Sequence, residues 1–394
     1  MKRSAILRRA GAGFSLVELA VVTLIIGIFL TLGLSAMNAA RENVALSSTN
    51  AKQAAIKEAL IGYLRRNSRL PCPDTDTTVP DGTENRTTPG NPATACWGTI
   101  GNAFGILPYV TLGLARDAAQ DGWGNFFSYH VSNTVTSTDW TLTANFRTGN
   151  SGNLNVKTRT AGVSSDLSTT IVAVVISHGP NGLGGYSIGG TRNAMPTGAD
   201  ELENTNGTAD RIFYYRDATT DDAATGGPFD DIVIYLTADD LLNPLYKDGS
   251  FKPPATVINE AFTKIKLQIA GYAMSTSSSN GTGTCNAVAS PRCRLIPWAD
   301  SNNNGTANAG TNTGNVPWTP LGLTQADVTD PYGTLYTYTV NTTVATTTTG
   351  FSSTGPAAIT AATAALVLTA SNGTTTTITV GELRGYFLAG TTIP

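Results

Sequence analysis

The 394-residue sequence predicts an α+β fold, with a long N-terminal helix packed on an antiparallel sheet and a second helix-plus-sheet unit behind it. Three observations predict it. From Phe14 to Ala40 the only ionisable side chain is Glu18, and the run Leu19 to Leu34 is long and apolar enough, as a helix, to cross a bilayer core of about 30 Å. Short β-branched and aromatic runs bounded by Gly, Asn and Asp follow. Blocks from the first part of the chain then return at one constant offset.

The helix comes first. Residues 14–36 read as its transmembrane half, and Lys2, Arg3, Arg8 and Arg9 ahead of them predict a cytoplasmic N-terminus. Glu18 is costly in an apolar helix, by about 2.5–3.5 kcal/mol, and calls for a cationic partner. A plainer reading places it at the positive end of the helix dipole. Arg41 to Arg66 contains no proline and puts Ile56, Leu60, Tyr63 and Leu64 on one face, so the helix continues and ends near Asn67, ahead of Pro71 and Pro73. Residues 67–120, rich in Pro, Gly, Thr and Asp, read as a long loop. Strands are expected at Asn125–Ser132, Trp140–Phe146, Thr170–Ser177, Arg211–Arg216 and Asp231–Thr237.

Only 13% of residues are charged, and 41 are glycine, which suits an extracellular β-rich protein and no cytosolic enzyme. A net charge of -3 gives no basic patch of the kind that binds nucleic acid. The four cysteines, Cys72, Cys96, Cys285 and Cys293, fit no zinc spacing. Of their three possible pairings, Cys72 with Cys96 and Cys285 with Cys293 keeps each bond within one loop-rich region.

Gly13-Phe-Ser-Leu-Val-Glu-Leu19 after a short basic leader resembles the prepilin signal of type IV pilins and type II secretion pseudopilins. The resemblance implies cleavage by a prepilin peptidase between Gly13 and Phe14, methylation of the Phe14 amine, and assembly with Glu18 facing a neighbour's N-terminus. It also implies a transmembrane-to-periplasmic helix. The partners it implies are other pilin or pseudopilin subunits, the peptidase, an inner-membrane assembly platform and the lipid bilayer. The location it implies is the bacterial inner membrane, then a filament. The rival reading is an ordinary secretory signal cleaved within Ser35–Ala40. Asp121-Gly-Trp-Gly-Asn125, Ser177-His-Gly-Pro-Asn-Gly182 and Asp230-Asp231-Ile232 extend the likeness to the pseudopilin head.

The repeat sets the domain plan. Ile56–Tyr63 recurs as Ile265–Tyr272, Leu112-Gly-Leu114 as Leu321-Gly-Leu323 and Asp121–Gly124 as Asp330–Gly333, each displaced by 209 residues. The predicted units are therefore a leader (1–13), the membrane half-helix (14–36), a first pilin-like head (37–245), a linker (246–256) and a second pilin-like head (257–394). Strands of the second head are expected at Leu335–Asn341, Ala365–Thr369, Thr375–Val380 and Leu383–Leu388.

Two kinds of site suggest themselves. Asp74, Asp76, Asp81 and Glu84, and Asp300, Asn302 and Asn304 in the second head, form oxygen-rich loops that read either as polar turns or as Ca²⁺ sites. In the pseudopilin that the chain resembles, the loop after Ser177 binds calcium; the residues at hand are Asn181, Asp200, Glu201 and Asp210. No catalytic residue is predicted, since there is no nucleophile elbow and His130 and His178 are the only histidines. The function expected is a structural, minor or tip filament subunit. The alternative is a surface adhesin displayed by the same anchor.

Overall fold

The computed structural model describes residues 16–76, 80–87, 96, 102–136, 152–205, 211–275, 277–278, 293–294, 296–308, 311–340, 364–379 and 382. Helix α1 runs from Leu16 to Asn67, 52 residues, with Glu18 in its first turn and Arg65 and Arg66 in its last. It stops where Asn67 turns its side-chain amide back onto the Tyr63 carbonyl and Ser68 takes the left-handed conformation at φ 54°.

The expected fold class needs correcting in two respects. Among the described residues no helix is long and apolar enough to cross a membrane. Nor is the β structure wholly antiparallel: the chain is a mixed α and β protein in which one strand pair runs parallel.

In the first head the strands are β1 (Asn102–Ile106), β2 (Asn125–Phe126), β3 (Ser128–Ser132), β4 (Leu154–Thr160), β5 (Val163–Ile171), β6 (Ala173–Ser177), β7 (Tyr186–Ser187), β8 (Ile212–Tyr214) and β9 (Ile232–Leu236). Its short helices are α2 (Tyr109–Leu112), α3 (Ala199–Thr205) and α4 (Ala238–Lys247), with a 3-10 turn at Arg116–Ala119. A four-stranded antiparallel sheet has the order β1-β3-β6-β9. A second sheet has the order β5-β4-β8, with Asn155 opposite Ile212 in the parallel pair. Residues 67–120 are thus more than a loop, since β1 and α2 lie within them. The expected strand Trp140–Phe146 lies outside the described residues, as do Leu383–Leu388 and most of the Cys285–Cys293 region.

The C-terminal half of α1 supplies one wall of the core. Ile56, Leu60, Ile61 and Leu64 are buried together with Tyr129, Val131 and Val175 of the sheet and with Phe127 just ahead of β3. Each such aliphatic side chain contributes about 1.5–3 kcal/mol by leaving water. Helix α4 closes the other side of α1: Thr237 and Asp240 form a reciprocal capping box, and Lys57 of α1 reaches Asp240 at 3.2 Å. The Cys72–Cys96 disulfide is formed, at a Cα separation of 5.4 Å.

The second unit repeats this plan, and several of its bonds have counterparts in the first. Helix α5 (Pro254–Ser275) buries Ile258, Phe262, Ile265 and Ile269 against β13 (Thr337–Val340) and β14 (Ala364–Thr369). The ribbon β10 (Ser277–Ser278) with β11 (Cys293–Arg294) lies apart from a four-stranded sheet, which runs β12 (Thr313–Asn315), β13, β14 and β15 (Thr375–Thr379). Tyr129 donates to the Pro71 carbonyl, and Tyr338 donates to that of Pro297. The Thr237–Asp240 cap returns as Thr379–Glu382, and the Lys57 contact returns as Lys266 with Glu382.

The tightest correspondence is a buried aspartate. Asp121 accepts hydrogen bonds from the Trp123 and Asn125 amides and from the Ser177 hydroxyl. Asp330 accepts them from the Tyr332 and Thr334 amides and from both backbone and hydroxyl of Ser371. Each carboxylate ties the turn that enters the second sheet strand to the far end of the third. Asp121→Ala and Asp330→Ala should each cost about 2–4 kcal/mol, because several buried donors lose their acceptor. The hubs share no partner, so the double variant should be additive to within about 0.5 kcal/mol in urea unfolding.

Candidate cation site

Between Ser177 at the end of β6 and Ile232 at the start of β9 the first head inserts a long excursion containing β7, α3 and β8. The second head crosses the equivalent gap in the short turn Ser371–Thr374, where Gly373 adopts φ 85°. The insertion folds back over its own root and gathers acidic side chains there.

Glu201, Asp230 and Asp231 each place a carboxylate oxygen within 4.8 Å of the others. Glu201 comes from the first turn of α3, and the aspartates from the residues just before β9. The approach needs Gly179: at φ 58°, a Cβ there would lie 2.4 Å from the Asp230 carbonyl oxygen. Glu201 is 2% exposed, and its Oε1 accepts from the Asp230 amide at 2.7 Å. Its Oε2 is buried without a hydrogen-bond partner, as is Oδ1 of Asp230. Asp231 is held from behind by Asn204 at 2.8 Å. Burial pushes Asp230 up to about 7, opposed by the Asn181 amide and reinforced by the adjacent Glu201. Burial raises Glu201 as well, with the charge of Asp231 adding to it.

Crowded carboxylates with two oxygens lacking donors fit a hard divalent cation, and an all-oxygen set favours Ca²⁺ or Mg²⁺ over softer metals. The expected ligands are only partly those brought together. Glu201 is central. Asp200 is not available, since its carboxylate is clasped by Arg159 at 2.6 Å and Arg216 at 2.8 Å and is 1% exposed. Asn181 acts as a donor: its amide nitrogen points to Glu201 at 3.4 Å while its carbonyl oxygen accepts from the Leu183 amide. Asp210 lies outside the described residues. Asp230 and Asp231 were legible only as a strand-entry motif, because nothing local in sequence marks their meeting with a glutamate some thirty residues earlier.

The other oxygen-rich loops turn many of their hydrogen bonds inward. Asp300 accepts from the Asn302 and Gly305 amides, and Asn304 accepts from the Thr306 amide and hydroxyl, so this second-head set is a turn and not a ligand shell. Asp74 accepts from the amides of Asp76 and Gly82, and in this loop the carboxylates of Asp74, Asp76 and Asp81 do come together, each with an oxygen within 4.8 Å of the others. Gly82 and Gly305, both at positive φ, lie flat on Tyr109 and Trp318, so these turns too are one device used twice. Glu84 is no ligand either, being bonded to Arg69 at 2.6 Å, to Arg86 at 3.1 Å and to the Cys72 amide. Burial alone would raise its pKa, but the Arg69 and Cys72 bonds hold it below the ordinary carboxylate value.

Of the processing and assembly residues, Gly13 and Phe14 lie outside the described residues, and Glu18 stands exposed in the first turn of α1. A serine, a histidine and an aspartate do meet: Ser128 Oγ lies 2.7 Å from His178 Nε2, and His178 Nδ1 lies 3.4 Å from Asp231 Oδ1. Ser128 and His178 are completely buried, so no substrate carbonyl reaches the hydroxyl. No family model matches this chain, and neither a curated protein nor a solved structure matches it.

Asp74 provides a pH test. Burial lifts it to about 6, above its unfolded value near 4 and against the pull of the Asp76 and Gly82 amides. Its protonated form is therefore the one that favours the fold. That contribution is full below pH about 4 and is lost as pH rises through about 6. Asp74→Asn should flatten the change of urea midpoint with pH in that window.

Proposed function

We propose that this chain is a structural subunit, minor or tip, of a pilin-type filament, a type IV pilus or a type II secretion pseudopilus. The observation that carries it is the unburied apolar start of α1. Leu16, Val17, Leu19, Leu24 and Ile26 are each at least half exposed, on a helix whose other half is locked into a folded head. A contiguous apolar surface of that kind calls for burial by another molecule. The Gly13-Phe14-Ser-Leu-Val-Glu18 signal supplies the reason for choosing copies of pilin-like helices as that cover. A second head on the same subunit adds bulk beside the helix, which favours rare or terminal positions over the main repeat.

In this reading Glu201, Asp230 and Asp231 hold Ca²⁺, fastening the insertion of the first head to the edge of its main sheet. Bound calcium supplies positive charge that the three carboxylates lack, and its role is structural.

Recovered from a host with its peptidase, the chain should begin at a methylated Phe14. Glu18→Ala should leave the heads folded and cut incorporation into filaments at least tenfold, as read by blotting sheared fractions. Wild-type incorporation of Glu18→Ala would overturn the assembly proposal. Saturating Ca²⁺ at about 100 times its Kd should add about 2.7 kcal/mol to the stability of the first head. Glu201→Gln should abolish that gain.

A further inference from the structure

Behind the three carboxylates stands a buried row of polar groups that their own chemistry does not require. Ser128 in β3, the second strand of the main sheet, hydrogen-bonds Nε2 of His178 just beyond β6, and Nδ1 of the same ring faces Asp231 Oδ1 at 3.4 Å, a polar contact without hydrogen-bond geometry. His178 and Ser128 have no exposed surface, and Asp231 is 7% exposed. Gly185 lets the insertion pack close on the ring, since a Cβ there would lie 2.9 Å from its Cδ2. Asn204 fixes the opposite oxygen of Asp231 while the same amide pairs with both backbone groups of Tyr214 in β8.

We infer that His178 is the positioning residue of the cation site, orienting Asp231 toward Glu201 and Asp230 from a ring that Ser128 holds in register. The inference rests on the cation reading proposed above. The donor order is set by what each end can do. Asp231 can only accept, so the ring nitrogen facing it, Nδ1, carries the hydrogen. Nε2 is then the acceptor for the Ser128 hydroxyl. In that tautomer the ring Nδ1–H faces one oxygen of Asp231. Outer partners of this sort commonly change metal affinity by about 10–100-fold when removed. The chain also ties the site to the sheet. A cation bound by the insertion is thereby aligned to β3 and β6, not to the excursion alone.

The test is Ca²⁺ titration of the full chain by calorimetry, with urea unfolding in chelator as a parallel readout. His178→Leu should weaken Ca²⁺ binding at least tenfold. His178→Asn, whose amide can take the place of Nδ1–H, should recover most of that loss. Ser128→Ala keeps the ring and removes only its anchor; it should weaken binding several-fold while changing the chelator-state midpoint little, and it decides the matter if His178→Leu does not fold. Wild-type affinity in Ser128→Ala and His178→Leu would overturn the inference and leave the cation site standing. Equal loss in His178→Asn and His178→Leu would overturn it too, by showing that ring volume and not the Nδ1 donor matters. Failure of the unaltered chain to bind Ca²⁺ would remove the site itself, and the inference with it.

Discussion

The fold of each head depends on one carboxylate out of water with only donors around it. Asp121 and Asp330 sit where a turn hands the chain to the second strand of the sheet, and each reaches across to a serine at the end of the third. A buried carboxylate without such donors would be strongly unfavourable. With them it fixes two features together, the shape of the turn and the register of strands distant in sequence. The helix wall and the capped segment after the last sheet strand then have a rigid surface to meet. That is why Lys57 with Asp240 and Lys266 with Glu382 occupy matching places.

Upon this common frame the heads diverge at the gap between the third and fourth sheet strands. The first head opens it into β7, α3 and β8, and the second closes it with Ser371–Thr374. Arg159 and Arg216 neutralise Asp200 inside the excursion, and Asn204 ties α3 to β8. Three carboxylates remain at the root, without a cationic side chain among the contacts described for Glu201 and Asp230. The difference between the heads is therefore a difference in chemistry as much as in length.

Much of the frame was legible in the sequence because the frame is local. Proline spacing marked the end of α1 at Asn67, and apolar, β-branched and aromatic runs marked β3, β6, β9, β13 and β14. The repeated Asp-x-x-Gly turns marked the two hubs. Strand β1 was hidden because it is five residues long and carries Gly105, whose backbone must pass close to Asp74. Strands β4 and β5 were hidden by Lys157, Arg159 and a run of Ser and Thr, since a sheet covered on one face only tolerates them. The site was half legible. Glu201 stands out as an acid in a loop-rich region. That Asp200 beside it would face two arginines and not a metal depends on residues placed by β4 and by the segment after β8. The start of α1 read as membrane-spanning because its composition is apolar, and composition does not distinguish lipid from a neighbouring protein surface.

The unequal gap has a bearing on how two related halves fold on one ribosome-tethered chain. Tandem domains built on one plan are prone to trade strands, since either half offers near-native edges to the other. Here a β6 from the first half cannot be followed by a β15 from the second without leaving the whole excursion stranded. The third strand of the second half has only the span of Ser371–Thr374 in which to return. The step from the third to the fourth sheet strand is therefore the place where the two halves are told apart by chain length alone.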